Sequence, residues 1–136
     1  MPFEEFGVVY LELDDVIGAY AEIFECSEQV ARDQLRSQPA LESACGRPIQ
    51  WATYGQADIA LQAAVLAHGI AETQPFIDGN KRAAVVGMEL FLNYNGYELA
   101  ASDDELFEWI LALSDKLSPE QFGDLIRPRV VPVVDL

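Results

Sequence analysis

The sequence is poor in histidine, cysteine and basic residues, and each shortage excludes something. One histidine (His68) and two isolated cysteines (Cys26 and Cys45), without Cys-x-x-Cys spacing, exclude a zinc site. Two lone cysteines fit a reducing compartment, so the expected location is cytoplasmic. Neither has a cation or histidine beside it in sequence, and both read as small hydrophobes rather than nucleophiles. Eight Lys and Arg stand against 23 Asp and Glu, a net charge of −15. Phosphate backbones need cations, so this balance argues against nucleic acid or an anionic membrane as a direct partner. It suits a basic partner, or solubility. Long hydrophobic runs are missing too. The longest, Ile59 to Ala71, is interrupted by Gln62, His68 and Gly69 and is too short to span a bilayer. The acidic start, Met1-Pro2-Phe3-Glu4-Glu5, lacks the basic n-region and apolar core of a signal peptide.

What is present is 136 residues, 51% of them hydrophobic. That is enough for one domain with its own core, expected over residues 1–136, with the core at about 8–127 and an irregular tail at 128–136. Val8 to Leu11 is a strand candidate. Leu13 to Phe24 reads as a helix with Asp14 as N-cap, because Val16, Ile17, Tyr20, Ile23 and Phe24 recur at helical spacing. Ser27 caps a second helix to about Arg36. Pro39 breaks the pattern, Ala40 to Cys45 is a short helical turn, and Gly46 to Tyr54 reads as a loop. An alanine-rich helix from Gln56 to about Thr73 is the expected centre of the fold. Another runs from about Asn80 to Asn95 with Gly96 as C-cap. Tyr97 to Leu99 reads as extended. Ser102-x-x-Glu105 and Ser118-Pro119 open the last two helices. The sum is an all-α domain of about six helices with a small hairpin.

The chemistry concentrates in Gln74-Pro75-Phe76-Ile77-Asp78-Gly79-Asn80-Lys81-Arg82, between two apolar helices. Phe76 and Ile77 are expected to anchor this loop in the core. Asp78-Gly79-Asn80 is turn chemistry leading into a helix N-terminus, where free N–H groups and the helix dipole favour an anion. Lys81 and Arg82 sit at the end of the helix that disfavours cations, by a few tenths of a kcal/mol or more each. Such a local violation points to function. From Gln74 to Gly96 acids and bases balance, and the rest of the chain carries the whole net charge of −15. Asp78 beside a phosphate site is a natural Mg²⁺ ligand.

This segment resembles the signature of the Fic/Doc superfamily, His-x-Phe-x-Asp/Asn-Gly/Ala-Asn-Lys/Gly-Arg. Lys81 is similar to the Doc (death-on-curing) branch; the Fic branch has Gly there and a second Arg where this chain has Val85. Tyr10 to Val16, Leu41 to Ala44 with Arg47-Pro48, and Phe91 to Leu99 extend the resemblance over roughly residues 8–127. It implies a single Fic/Doc-type helical domain. It also implies a toxin of a two-gene toxin–antitoxin system: an ATP- and Mg²⁺-dependent kinase that phosphorylates a threonine of translation elongation factor Tu and blocks translation. The alternatives are a Fic-type AMP transferase or a non-catalytic nucleotide- or partner-binding module. By position, Asp78 would hold Mg²⁺, Gly79 and Asn80 would line the anion hole, and Lys81 and Arg82 would clamp the phosphates. Arg47 lies where relatives carry a flap over the site and is a nucleotide-contact candidate.

One departure stands out. The family's first motif residue is the histidine that serves as general base, and this chain has Gln74. An amide has no useful basicity near neutral pH, and loss of general-base help costs about 10²–10⁴ in rate. His68 is about 9 Å away along the helix axis and on another face, so it reads as a core histidine. The implied partner is a Phd-like antitoxin whose basic amphipathic segment suits the acidic run Asp103 to Glu108 around Leu106, Phe107 and Trp109.

Overall fold

The computed structural model describes residues 1–114 and 117–134. Its first element is a hairpin, β1 (Phe3–Glu5) with β2 (Val8–Tyr10), antiparallel with Phe3 opposite Tyr10. Phe6 and Gly7 both have positive φ (54° and 79°), the geometry of the turn whose twist matches its flanking strands. Helix α1 (Leu13–Ile23) buries Val16, Ile17, Tyr20 and Ala21. Its cap is Glu12, paired reciprocally with Asp15, and not Asp14, which reaches Arg32 at 2.7 Å. Ser27 caps α2 (Glu28–Asp33) as expected. That helix stops short of Arg36 because residues 34–37 pair with another segment, described below.

Helix α3 (Gln38–Gly55) corrects the sequence reading most. The loop expected over Gly46 to Tyr54 is helical, and the turn at Ala40 to Cys45 is its beginning. Pro39 lies in the first turn, where a missing N–H costs nothing. Pro48 sits inside the helix, which costs about 3 kcal/mol in an isolated one. Packing overrides it: Leu41, Ala44, Cys45 and Pro48 are all buried. Helix α4 (Ile59–Thr73) is central and packs on α3, on α5 (Asn80–Tyr94) and on α7 (Pro119–Ile126). It starts at Ile59, not Gln56, because Gln56 is left-handed (φ 52°) and Asp58 supplies the cap. Its alanines permit the close approach: Ala63, Ala64 and Ala67 are fully buried. A Cβ on Gly69 would lie 3.2 Å from both the Ala44 Cβ and the Arg47 Cδ.

A second two-stranded antiparallel sheet joins distant parts of the chain. Strand β3 (Tyr97–Leu99) pairs antiparallel with β4 (Val130–Pro132), on either side of α6 (Asp103–Ser114) and α7. The tail is therefore not irregular from residue 128: a 3-10 turn at Arg127–Arg129 leads into β4. Arg129 forms an ion pair with Glu105 at the start of α6, which fixes that turn. Among the described residues there are seven helices rather than six, and a second two-stranded sheet besides the hairpin, in a mainly-α domain. All seven helices contribute to one core, with Tyr10, Phe76, Phe91 and Phe122 its largest fully buried rings. Each such ring contributes about 1.5–3 kcal/mol by leaving water. Gln62, the buried polar residue of that core, accepts from the Tyr10 hydroxyl at 2.8 Å and donates to the Ala57 carbonyl at 3.0 Å. No described helix is long and apolar enough to cross a membrane.

Candidate anion site at the start of helix α5

Helix α4 ends at Gln74, which is left-handed (φ 48°) and caps it. Five residues, Pro75 to Gly79, then reverse the chain into α5. Phe76 anchors this loop as expected and is fully buried. Ile77 does not, being 63% exposed. The reason is local: Phe76 forms an antiparallel bridge with Leu35, and successive side chains of extended backbone point to opposite sides. The loop is laced to residues 34–37 by main-chain bonds. The Arg36 and Ser37 N–H groups donate to the Pro75 carbonyl at 2.6 and 3.0 Å, and the Ile77 N–H donates to the Gln34 carbonyl at 2.8 Å. The Arg36 guanidinium also donates to the Gln74 carbonyl, at 2.5 Å.

Asn80 closes the loop from inside. Its Oδ1 accepts from the Phe76 N–H at 2.8 Å, and its Nδ2 donates to the Phe76 carbonyl at 2.9 Å. The amide expected to meet a ligand is thus occupied in holding the loop. Gly79 is the N-cap of α5, with φ 77° and no side chain to accept from the first-turn N–H groups. Asp78 is exposed, and its Oδ1 accepts from the Gly79 N–H at 2.8 Å. Lys81 and Arg82 are exposed on the first turn. Together, Ala71, Gln74, Ile77, Asp78, Gly79, Asn80, Lys81 and Arg82 line a surface pocket of about 300 Å³.

Charge separates this pocket from the rest of the surface. Arg32, Arg47, Arg127 and Arg129 each have a carboxylate partner. Among the described residues, the three Lys and Arg side chains without one are Arg36, which bonds the loop from the neighbouring segment, and Lys81 and Arg82 on the first turn of α5. A larger groove of about 840 Å³ between α1 and α5 is lined by Asp14, Asp15, Glu22, Glu28 and Glu89 and repels anions. Burial, and then Asp103, raises the Glu89 carboxyl above its usual range.

The sequence model of the Fic/DOC family matches residues 10–92, a span from β2 through α5 that contains the whole pocket. The chain belongs to the Fic/DOC family. That family is generally one of transferases. Among curated proteins, no sequence matches the chain.

Within this Fic/DOC frame, the structure brings together Gln74, Asp78, Gly79, Asn80, Lys81 and Arg82, but not Arg47. Arg47 lies on α3, half-buried, with its guanidinium 3.8 Å from Glu72. His68 faces the other oxygen of that carboxylate, Nδ1 to Oε2 at 3.4 Å, and borders a different pocket with Leu113 and Leu117. Val85, where the Fic branch has its second Arg, is buried in the core. Cys45 is buried and its thiol pushed up to about 12, chiefly by burial, so it stays protonated and inert. Three contributors escape a sequence reading because they lie far away in the chain. Arg36 is one. The others are Tyr20 and Phe24 of the α1 end. The Tyr20 ring stacks on Phe76 at 4.2 Å, and its hydroxyl donates to the Asp78 carbonyl at 3.1 Å. Burial, and then Asp78, raises the Tyr20 phenol, which keeps that donor protonated. Only the spacing of Tyr20 and Phe24 on the apolar side of α1 hints at them, and it reads equally as core.

Proposed function

We propose that this Fic/DOC protein is a Doc-branch toxin, in the lineage of Mg²⁺- and ATP-dependent kinases that phosphorylate a threonine of elongation factor Tu. The observation that carries this reading is the isolation of charge: two exposed cations without carboxylate partners, Lys81 and Arg82, flank a helix N-terminus without a side-chain cap in a chain of net charge −15. Phosphoryl transfer asks a protein mainly for positioning and charge stabilisation. Lys81 and Arg82 supply charge, the first-turn N–H groups supply donors, and the Asn80 staple holds the loop rigid. The residues present also fit Mg²⁺, which binds through one or two carboxylates plus phosphate oxygens. Asp78 is that carboxylate, with Oδ2 uncommitted among the described hydrogen bonds. Bound Mg²⁺ would neutralise charge on the phosphates.

Gln74 lines the pocket at the position of the family's general base. Its amide can hydrogen-bond a hydroxyl but cannot take its proton, so the chain as it stands binds nucleotide and transfers slowly or not at all. Lys81 and the buried Val85 favour phosphate transfer over AMP transfer. For the antitoxin, exposed Phe107 and Leu111 on α6 beside Asp103, Asp104 and Glu108 suit a basic amphipathic helix. The setting is cytoplasmic.

The test compares the chain with Gln74→His in a cell lysate with Mg²⁺ and ATP labelled at either the γ or the α phosphate. The γ label is expected on a protein band with Gln74→His, and about 10²–10⁴ less of it with Gln74. Transfer of the α label instead overturns the kinase in favour of AMP transfer. No transfer of either label by Gln74→His leaves only a binding role.

A further inference from the structure

Phe24 is the C-cap residue of α1, 58 positions before Arg82. Its ring lies beneath the pocket and touches two of its parts. The Arg82 guanidinium carbon stands 5.2 Å from the ring centroid, within cation–π range. A Cβ added at Gly79 would fall 2.4 Å from the Phe24 Cζ, so the ring fills the space that only glycine leaves open. Behind it, Phe24 packs on Tyr20 at 4.4 Å, and Tyr20 stacks on the buried Phe76. The rings of Phe76, Tyr20 and Phe24 form a continuous column from the core to the guanidinium.

The column answers a question the pocket raises. An exposed arginine on a helix first turn, repelled by the helix dipole and without an ion pair, would swing freely through solvent. The Phe24 ring face is the partner the structure gives it. A guanidinium stacks on an aromatic face and keeps its in-plane N–H donors free for phosphate oxygens, which a carboxylate partner would consume. An aromatic support also adds no negative charge beside an anion site.

We propose that Phe24 is a positioning residue for anion binding: it holds the Arg82 guanidinium in register over the α5 N-terminus without neutralising it. This rests on the nucleotide-binding reading above, and it adds a residue outside the nine-residue motif.

The test is a double-mutant cycle on the full chain, with Mg²⁺–ATP affinity measured by calorimetry for the parent, Phe24→Leu, Arg82→Gln and the double variant. Leucine keeps an apolar side chain beneath Gly79 and removes the ring face. Phe24→Leu is expected to weaken ATP binding about two- to five-fold in the parent and to have no effect beside Arg82→Gln. An equal loss in both backgrounds overturns the proposal, because it marks Phe24 as ordinary packing. A ligand-free readout separates the two levels. The Arg82 side-chain Nε–H proton resonance should be shifted upfield by the ring in the parent and return toward the usual arginine position in Phe24→Leu. Without that shift the proposal falls, whatever the affinities. A parent that shows the shift but binds no ATP overturns the nucleotide reading and the anion-binding role together.

Discussion

Asn80 makes the strongest single claim about how the loop is held. Its side chain satisfies both the N–H and the C=O of Phe76, whose ring is fully buried. Replacing it by alanine removes both bonds and leaves two partly buried polar groups without partners. Each such loss costs about 1–2 kcal/mol, so Asn80→Ala is expected to destabilise the fold by roughly 2–4 kcal/mol. For a domain of this size about 1 kcal/mol moves Tm by roughly 3–5 °C, so the fall should be about 6–20 °C. Asn80→Asp separates the two bonds. Its carboxylate still accepts from the Phe76 N–H, at a helix end that favours negative charge, but it cannot donate to the carbonyl. It should lose about half as much. Thermal melting followed by circular dichroism measures the totals, and amide exchange at Phe76 localises them: protected in the parent and in Asn80→Asp, unprotected in Asn80→Ala. A Tm within 2 °C of the parent for Asn80→Ala, with Phe76 still protected, would refute the staple.

Two further predictions use other contacts. Gly79→Ala combines positive φ with the clash on Phe24 and should lower stability by about 2–4 kcal/mol, whereas in a Phe24→Ala background only the backbone cost of about 1 kcal/mol should remain; equal losses in the two melting series would contradict this. The Glu105 carboxyl is held at about 2, chiefly by its hydrogen bonds from Arg129, against the usual 4.5. Its folded pKa is the lower one, so the stabilisation is complete above pH 4.5 and disappears as pH falls toward 2. Glu105→Gln should therefore melt below the parent at pH 7 and approach it between pH 4.5 and 2; a gap that stays constant across that window argues against the ion pair.

Much of the fold was readable because its signals are local. Ser27, Ser102 and Ser118 announce helix starts by their own side chains, and the alanine spacing of α4 announces a central helix. The misreadings share a cause. Pro48 carries the strongest local breaker signal, yet α3 continues through it because burial against α4 outweighs one lost hydrogen bond. Val130 to Pro132 has no turn or partner nearby in sequence; its partner strand lies across two helices. The site divides the same way. Asp78 to Arg82 is contiguous and therefore visible. Tyr20, Phe24 and Arg36 act across 38 to 58 positions, a distance at which apolar periodicity says only that a residue is inside. Around Arg47 the local signals of Gly46 and Pro48 predict a loop; the segment is helical, and on α3 Arg47 faces Glu72.

The lacing of the loop to residues 34–37 has an evolutionary consequence. It consists of main-chain donors and acceptors, apart from the one guanidinium of Arg36, and main-chain bonds do not read side-chain identity. Exposed Ile77 can therefore be exchanged without unfastening the loop from its neighbour, whereas Leu35 packs on the core and Ser37 caps α3. Ile77 is then a rim position where drift or selection can change the surface of the pocket while the loop beneath keeps its shape. On the proposed function, such an arrangement would let the rim vary while the chemistry stays fixed.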